Sequence, residues 1–364
     1  MRDMATDGRK AWVASLAVLL GMSAWTLPTR ARASDTLESL ASRDPLAGLS
    51  VSSFLGPDGR GMVISRSDSV EVFLPGPGTA GAAGLSVFFV SVGQGDAEYI
   101  ELPDGRNALI DGGPADSSGS AIPPIAKFLA GRGVTKIDHV VLTHPHADHY
   151  AGLGYVFDNF QVGRFYDTRI DNSGATGDDL VRQKAAAEPG CASVHPAPGD
   201  SLDWAPGVAV RVLNSCPEPS RSSDVEMGAS EVINNCSIVL KVVYGGSSVL
   251  FTGDVQDDVE ARLASEYGDE LRADVLKVGH HGSKHSSSAA FLDKVRPDLA
   301  YIEVGRNSYG HPAETAVARL QAVGASVRRT DRDGTQEYAV APSTQGGDGA
   351  TEVPVAAAGF FAGR

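Results

Sequence analysis

The chain has 364 residues, with 31 basic and 45 acidic side chains and a net charge of −14. Such a surface repels nucleic acid and anionic lipid unless metal ions or a local basic patch intervene, which argues against a general DNA-binding role.

Residues 1–33 read as a secretory signal peptide. Arg2, Arg9 and Lys10 form a basic start, Ala11 to Trp25 an apolar run, and Ala31 and Ala33 a small-residue cleavage position. The run is short for a bilayer span. The mature chain is therefore expected to be secreted or periplasmic, with no stable membrane insertion after cleavage. It would keep 26 basic and 43 acidic residues, a net charge of −17. Residues 34–84 read as an N-terminal extension, with a β-rich piece "GMVISRSDSVEVFL" and a linker "PGPGTAGAAG". Residues 85–341 are long enough for one large domain with a sizeable core. The remainder, 342–364, is low in complexity and expected to be disordered.

Within 85–341 the strand-like runs are "LSVFFVSV", "EYIELP", "NALIDGG", "HVVLTH", "VAVRVLN", "SIVLKVVYGGSSVLFTGD", "ADVLKVGHHGS", "LAYIEV" and "ASVRRT". Between them lie helix candidates: "AIPPIAKFLAGRG", "DDLVRQKAAAE", "QDDVEARLASEYG", "SAAFLDKVRP" and "PAETAVARLQAVG". This alternation predicts an α/β domain of two similar halves. Of three cysteines, Cys191 and Cys216 share a loop-rich stretch and are the first pair to consider. With Cys236, three connectivities are open, as are free thiols. No C-x-x-C motif is present.

The chemistry is concentrated at strand ends. In "HVVLTHPHADHYAGL" the apolar strand stops where His144, His146, Asp148 and His149 begin, so these groups can converge on one point. Imidazole with carboxylate fits zinc, iron or manganese. "VLFTGD" brings Asp254 to a second strand end, and "VLKVGHHGSKHSSS" brings His280 and His281 to a third. Seven of the nine histidines fall in 137–149 or 278–285. His139, inside the first cluster, and His195, outside both, each read as a satisfied core or surface residue. Three strand ends that each finish in ligand-type residues are hard to obtain from packing alone.

"VSVGQGDAEYIELPDGRNALIDGG", "THPHADH", "NNCSIVLKV", "LFTGD", "LKVGHHGSKHSSS" and "NSYGHPAE" resemble the metallo-β-lactamase-fold hydrolases over about residues 85–340. Within that superfamily they are most similar to the hydrolase domain of the ComEC/Rec2 competence proteins. The resemblance implies an αββα sandwich with the site on one edge. It implies a divalent metal, zinc or manganese, as one or two ions. His144 and His146 would hold the first, Asp148 and His149 the second, and Asp254 would bridge them. One histidine of the pair, His280 or else His281, would complete the second position, the other supporting the ligands or touching phosphate. Asp111 would be a supporting carboxylate. The histidine that most members carry before the "GD" strand is missing; Asn234 and Asn235 stand near its place. The first position should therefore bind more weakly and favour manganese.

A two-metal centre can activate water and hold both oxygens of an in-line phosphoryl displacement. The candidate catalytic residues are Asp148, His281 and His311; the candidate substrate contacts are Ser283, Asn307 and Tyr309. A donor-rich rim suits phosphate oxygens. The expected function is an exported phosphodiesterase or nuclease, acting on a small phosphodiester or nucleic acid. The alternatives are a hydrolase of a lactone, β-lactam or other ester, and a non-catalytic binding module. No protein partner can be inferred.

Overall fold

The structure is a computed structural model that describes residues 50–56, 59–65, 70–73, 84–116, 122–221, 229–341 and 350–351. The expected signal peptide, the Gly/Pro linker up to residue 83 and most of the tail lie outside the described residues. In the N-terminal extension, β1 (Ser50–Gly56), β2 (Gly59–Ser65) and β3 (Val70–Phe73) form a three-stranded sheet in that order.

Two larger sheets follow. The first contains β4 (Leu85–Phe89), β5 (Glu98–Glu101), β6 (Asn107–Ile110), β7 (Lys136–Leu142), β8 (Gln161–Asp167), β10 (Ala192–Val194), β19 (Gln336–Val340) and β20 (Ala350–Thr351), in the order β10-β8-β7-β6-β5-β4-β19-β20. The second contains β11 (Ser201–Leu202), β12 (Ala209–Asn214), β14 (Val239–Tyr244), β15 (Ser247–Phe251), β16 (Val275–Lys277), β17 (Leu299–Ile302) and β18 (Ser326–Arg329), in the order β11-β12-β14-β15-β16-β17-β18. The short strands β9 (Ile170–Asp171) and β13 (Ser220–Arg221) pair with each other. Of the expected disordered tail, Ala350–Thr351 is described, and it pairs antiparallel with β19.

The apolar runs are nearly continuous because most strands are covered on both faces. On β4, Leu85, Val87 and Phe89 turn inward to meet Val212, Leu240, Phe251 and Tyr301 of the other sheet. Phe88 turns outward and packs with Leu129 of α1 (Pro124–Gly131), Leu153 and Val156 of α2 (Ala147–Asn159) and Val181 of α3 (Gly177–Ala187). The outer face of the second sheet is covered by Leu263 of α5 (Asp257–Tyr267), Phe291 of α6 (Ala289–Val295) and Leu320 of α7 (Glu314–Ala322). The layers are αββα. Two further helices among the described residues are α4 (Ala229–Asn235), which precedes β14, and the short α8 (Thr330–Asp333), which follows β18.

The cysteine expectation is corrected. Cys216 pairs with Cys236, and Cys191 is free and partly buried. The bridge joins the chain after β12 to the end of α4, because β12 and β14 are paired neighbours that bring those positions together.

In each sheet a block of parallel strands, β6–β7–β8 and β15–β16–β17–β18, runs the same way. The ends of β6, β7, β15, β16 and β17 lead directly to Asp111, His144, Asp254, His281 and Glu303. At this edge the Ile238 amide donates to the Thr143 carbonyl at 2.9 Å, tying the two halves together.

Candidate metal centre

Asp254 is the focus of the site. It is 2% exposed, and its Oδ2 lies 3.4 Å from His149 Nε2, 3.6 Å from His281 Nε2, 3.7 Å from His144 Nε2 and 3.8 Å from His280 Nε2. Gly253 makes this approach possible. It has φ +49°, and a Cβ there would meet the Ser237 side chain at 2.8 Å. The Asp254 amide donates to Ser237 Oγ at 3.0 Å, which fixes the turn.

Three overlapping groups of ligand-type atoms adjoin around this carboxylate. His144, His146 and Asp254 form one, Asp148, His149 and His281 a second, and Asp96, His149 and Asp254 a third; the atoms of each lie within 4.8 Å of one another. His144 Nε2 is 3.0 Å from His146 Nδ1, and His281 Nε2 is 3.3 Å from Asp148 Oδ2. The distances thus group His281, rather than His280, with Asp148 and His149. His280 and His281 both sit in the left-handed region, at φ +48° and +53°. Side chains other than glycine pay roughly 1–3 kcal/mol each for such a backbone. This turn sends His281 into the buried centre and leaves His280 partly exposed at its edge.

The supporting contacts decide which ring nitrogens are free. Asp111 Oδ2 accepts from His149 Nδ1 at 2.7 Å and from Thr143 Oγ1 at 2.6 Å, while its Oδ1 accepts from the Thr143 amide. His144 Nδ1 has hydroxyls beside it, Thr143 Oγ1 at 3.1 Å and Ser237 Oγ at 3.2 Å. Among the described residues, His149 Nε2, His281 Nε2 and Asp254 Oδ1 are buried with no hydrogen-bond partner. Bare imidazole nitrogens and a bare carboxylate oxygen around one small volume fit a divalent metal.

Protons balance these charges when no metal is bound. Burial pulls the His149 imidazole down, but Asp254 and Asp111 outweigh it and hold its pKa well above the ordinary value. Burial opposes protonation of His281 too, yet Asp254 and Asp96 push it up to about 10. Burial, and then the neighbouring His149, depress His144 well below the usual range. Asp254 is held well below the carboxylate range by His281 and His149 despite its burial.

The two asparagines have different tasks. Asn235 Nδ2 donates to both carboxylate oxygens of Asp258, and its Oδ1 accepts from the Gln256 amide. Asn234 is buried beside His146, and its Oδ1 has no hydrogen-bond partner among the described residues. His195 Nδ1 bonds the Asp167 carbonyl and joins no ligand group among the described residues. His139 is buried against Trp204 and bonds the Tyr166 hydroxyl, the core role expected of it.

At the rim, the His311 ring lies 5.1 Å from that of His280 and 6.3 Å from that of His281, and the Tyr309 ring 5.8 Å from His311. An open depression of about 480 Å³ beside them is lined by Gln94, Arg306, Asn307, Ser308 and Tyr309. Asn307 spends its amide on the loop itself. Its Nδ2 donates to the Gly305 and His311 carbonyls, and its Oδ1 accepts from the Tyr309 and His311 amides. Ser283 is buried, with its Oγ accepting from the His285 amide at 3.3 Å. Ser283 and Asn307, two of the three expected substrate contacts, thus shape their own loops, while the third, Tyr309, is exposed at the rim. Gln94 falls in the "GQGD" stretch and Arg306 precedes "NSYGHPAE", but no spacing in the sequence brings the two to one depression.

The profile of the metallo-beta-lactamase superfamily matches residues 90–305, and the chain belongs to this superfamily of metal-dependent hydrolases. It is 31% identical over 267 residues to ComE operon protein 3 of Bacillus subtilis (strain 168), covering 69% of this chain and 32% of that protein. It is 31% identical over 247 residues to Competence protein ComA of Neisseria gonorrhoeae, covering 68% of this chain and 31% of that one. The chain therefore spans about a third of the length of the curated relatives it matches. Among solved structures, the metallo-beta-lactamase fold protein YhfI from Bacillus subtilis is similar in fold, with a TM-score of 0.47 and 13% identity, over 71% of this chain and 100% of that one.

Proposed function

We propose that this chain is an exported phosphodiesterase that works with two divalent ions, zinc or manganese. The observation that carries the reading is Asp254, whose Oδ2 has four imidazole nitrogens within 3.8 Å and adjoins the ligand groups of both ions. His144 and His146 would hold the first ion and Asp148, His149 and His281 the second, with Asp254 shared. His281 takes the role that sequence reasoning gave first to His280. The buried Oδ1 of Asn234 would serve the first position where an imidazole is missing. Ions held there would supply Lewis acidity and an activated water.

The chain's own rim does the rest. Arg306 and Tyr309 offer a cation and an exposed ring beside the centre, which suits an anionic ester better than an acyl chain. Burial, and then the charges of His280 and His281, lower His311 to about 4. It is neutral at neutral pH, and its buried Nδ1 has no partner among the described residues. It can then offer a hydrogen bond to a phosphate oxygen. His311→Ala should lower kcat/KM for a phosphodiester by about 10²-fold while metal content stays at the parent level. Loss of metal in that variant would move His311 into the ligand set. Export is supported by the basic, apolar and small-residue pattern of residues 1–33 and by the Cys216–Cys236 bridge, which needs an oxidising compartment.

The deciding experiment screens the purified protein against bis-p-nitrophenyl phosphate, DNA, a lactone and nitrocefin, with added Mn²⁺ or Zn²⁺. Metal-dependent turnover of the phosphodiesters supports the proposal. Turnover of the lactone or nitrocefin alone would favour the acyl-hydrolase reading, and no turnover with bound metal the binding-module reading.

Metal uptake should also be linked to pH. His149 and His281 are protonated at neutral pH in the metal-free protein because their pKa values are raised. Each must lose its proton to ligate, so about two protons should be released per chain filled. Affinity should rise with pH up to about 10, where His281 is deprotonated without help. Calorimetry in buffers of differing ionisation enthalpy counts these protons; a count of zero would contradict the ligand assignment.

A further inference from the structure

The "GQGD" and "LKVG" stretches contribute none of the ligands assigned to the two ions above, yet they bring a buried ion pair against them. Lys277, at the end of β16, is fully buried, and its Nζ donates to Asp96 Oδ2 and to the Val278 carbonyl. Glu98 and Glu303 are buried in the same cluster, and the Ala97 amide donates to Glu303 Oε1. Burying such charges is costly, and an apolar cluster would stabilise the fold as well. Their position supplies another reason.

Asp96 Oδ1 stands 3.1 Å from His281 Nδ1, and the Glu303 carbonyl accepts from that same nitrogen at 2.9 Å. A lone pair on Nδ1 would face two electron-rich oxygens, so the hydrogen belongs on Nδ1. In the neutral ring that would ligate a metal, this leaves Nε2 free, aimed at Asp148 and Asp254. The loop carrying Asp96 is locked against the ligand helix. The Asp96 amide donates to the Asp148 carbonyl at 3.2 Å, and a Cβ at Gly95 would stand 2.2 Å from that oxygen. We infer that Asp96, held in place by Lys277, is a positioning residue for the second metal position: the Glu303 carbonyl takes the Nδ1 hydrogen bond, and the Asp96 carboxylate beside it favours the same tautomer and direction of the His281 ring electrostatically. Lys277 engages the other oxygen of that carboxylate, Oδ2, which also lies 3.8 Å from His149 Nδ1. This inference rests on the metal-centre reading above.

The test titrates metal-free protein with Zn²⁺ by calorimetry, comparing the parent with Asp96→Asn, which keeps the shape and an acceptor for Lys277. One of the two binding events should weaken about 10- to 100-fold, while the other stays close to the parent value. Parent affinity for both ions in a folded Asp96→Asn overturns the inference and leaves the metal-centre reading standing. A parent chain that takes up no ion overturns both. Should Asp96→Asn fail to fold, ¹⁵N NMR of the zinc-loaded parent decides, with the His281 signals assigned by their loss in His281→Gln. A hydrogen on Nδ1 with metal on Nε2 supports the inference; the reverse tautomer overturns it.

Discussion

Asp254→Asn should leave a folded protein that holds less metal and hydrolyses phosphodiesters slower by on the order of 10²–10³-fold. The size of the substitution is nearly nil; its charge is the point. Asp254 Oδ2 is within 3.8 Å of nitrogens from His144, His149, His280 and His281, so both ligand groups depend on one carboxylate. Two adjacent cations repel each other, and an anion between them offsets that repulsion. An amide oxygen carries no formal charge, and its NH₂ would turn a donor toward one set of nitrogens. Metal content and kcat should therefore fall together, whereas loss of a substrate contact would spare metal content. Parent metal content and rate in Asp254→Asn would remove the shared-carboxylate account.

The second large effect concerns the inequality of the two positions. His149 is backed by Asp111 at 2.7 Å and His281 by the Glu303 carbonyl at 2.9 Å, with a carboxylate beside it. His144 has only hydroxyl neighbours at its Nδ1, and Asn234 stands beside His146 where an imidazole would strengthen the group. Carboxylate backing raises imidazole basicity, and replacing nitrogen by amide oxygen favours a harder ion. Protein isolated without added metal should thus hold about one ion, and Mn²⁺ should raise its activity severalfold. His146→Ala should abolish that rise while keeping the tightly held ion. Two equally tight zinc ions, with no response to manganese, would show that another ligand completes the first position.

The layers and ligand-bearing strand ends were legible because they follow from local patterns. Strands covered on both faces read as unbroken apolar runs, and ligand residues begin where those runs stop, as at Leu142–His144 and Phe251–Asp254. Strand β8 escaped notice because Gln161, Gly163 and Arg164 interrupt its apolar residues; its partners β7 and β10 supply what its own sequence lacks. The His280/His281 choice could not be read from spacing, since it turns on two consecutive left-handed residues. The disulfide depended on the pairing of β12 with β14, a contact distant in sequence. Asn307 lies in a donor-rich loop, and its four hydrogen bonds within that loop, which spacing does not reveal, hold the loop's shape. Asp96 and Lys277 lie in the "GQGD" and "LKVGHHGS" stretches, but their pairing joins positions 181 residues apart and could not be read from either stretch alone.

The measurement closest to the central claim is electron paramagnetic resonance of the metal-free protein titrated with Mn²⁺. Two positions sharing Asp254 would bring the ions close enough for their spins to couple. The first equivalent should give the signal of an isolated Mn²⁺ ion, and the second should convert it to that of an exchange-coupled pair. In Asp254→Asn the coupled signal should be lost. A second equivalent that merely doubles the isolated-ion signal would mean that the two ligand groups do not form one centre.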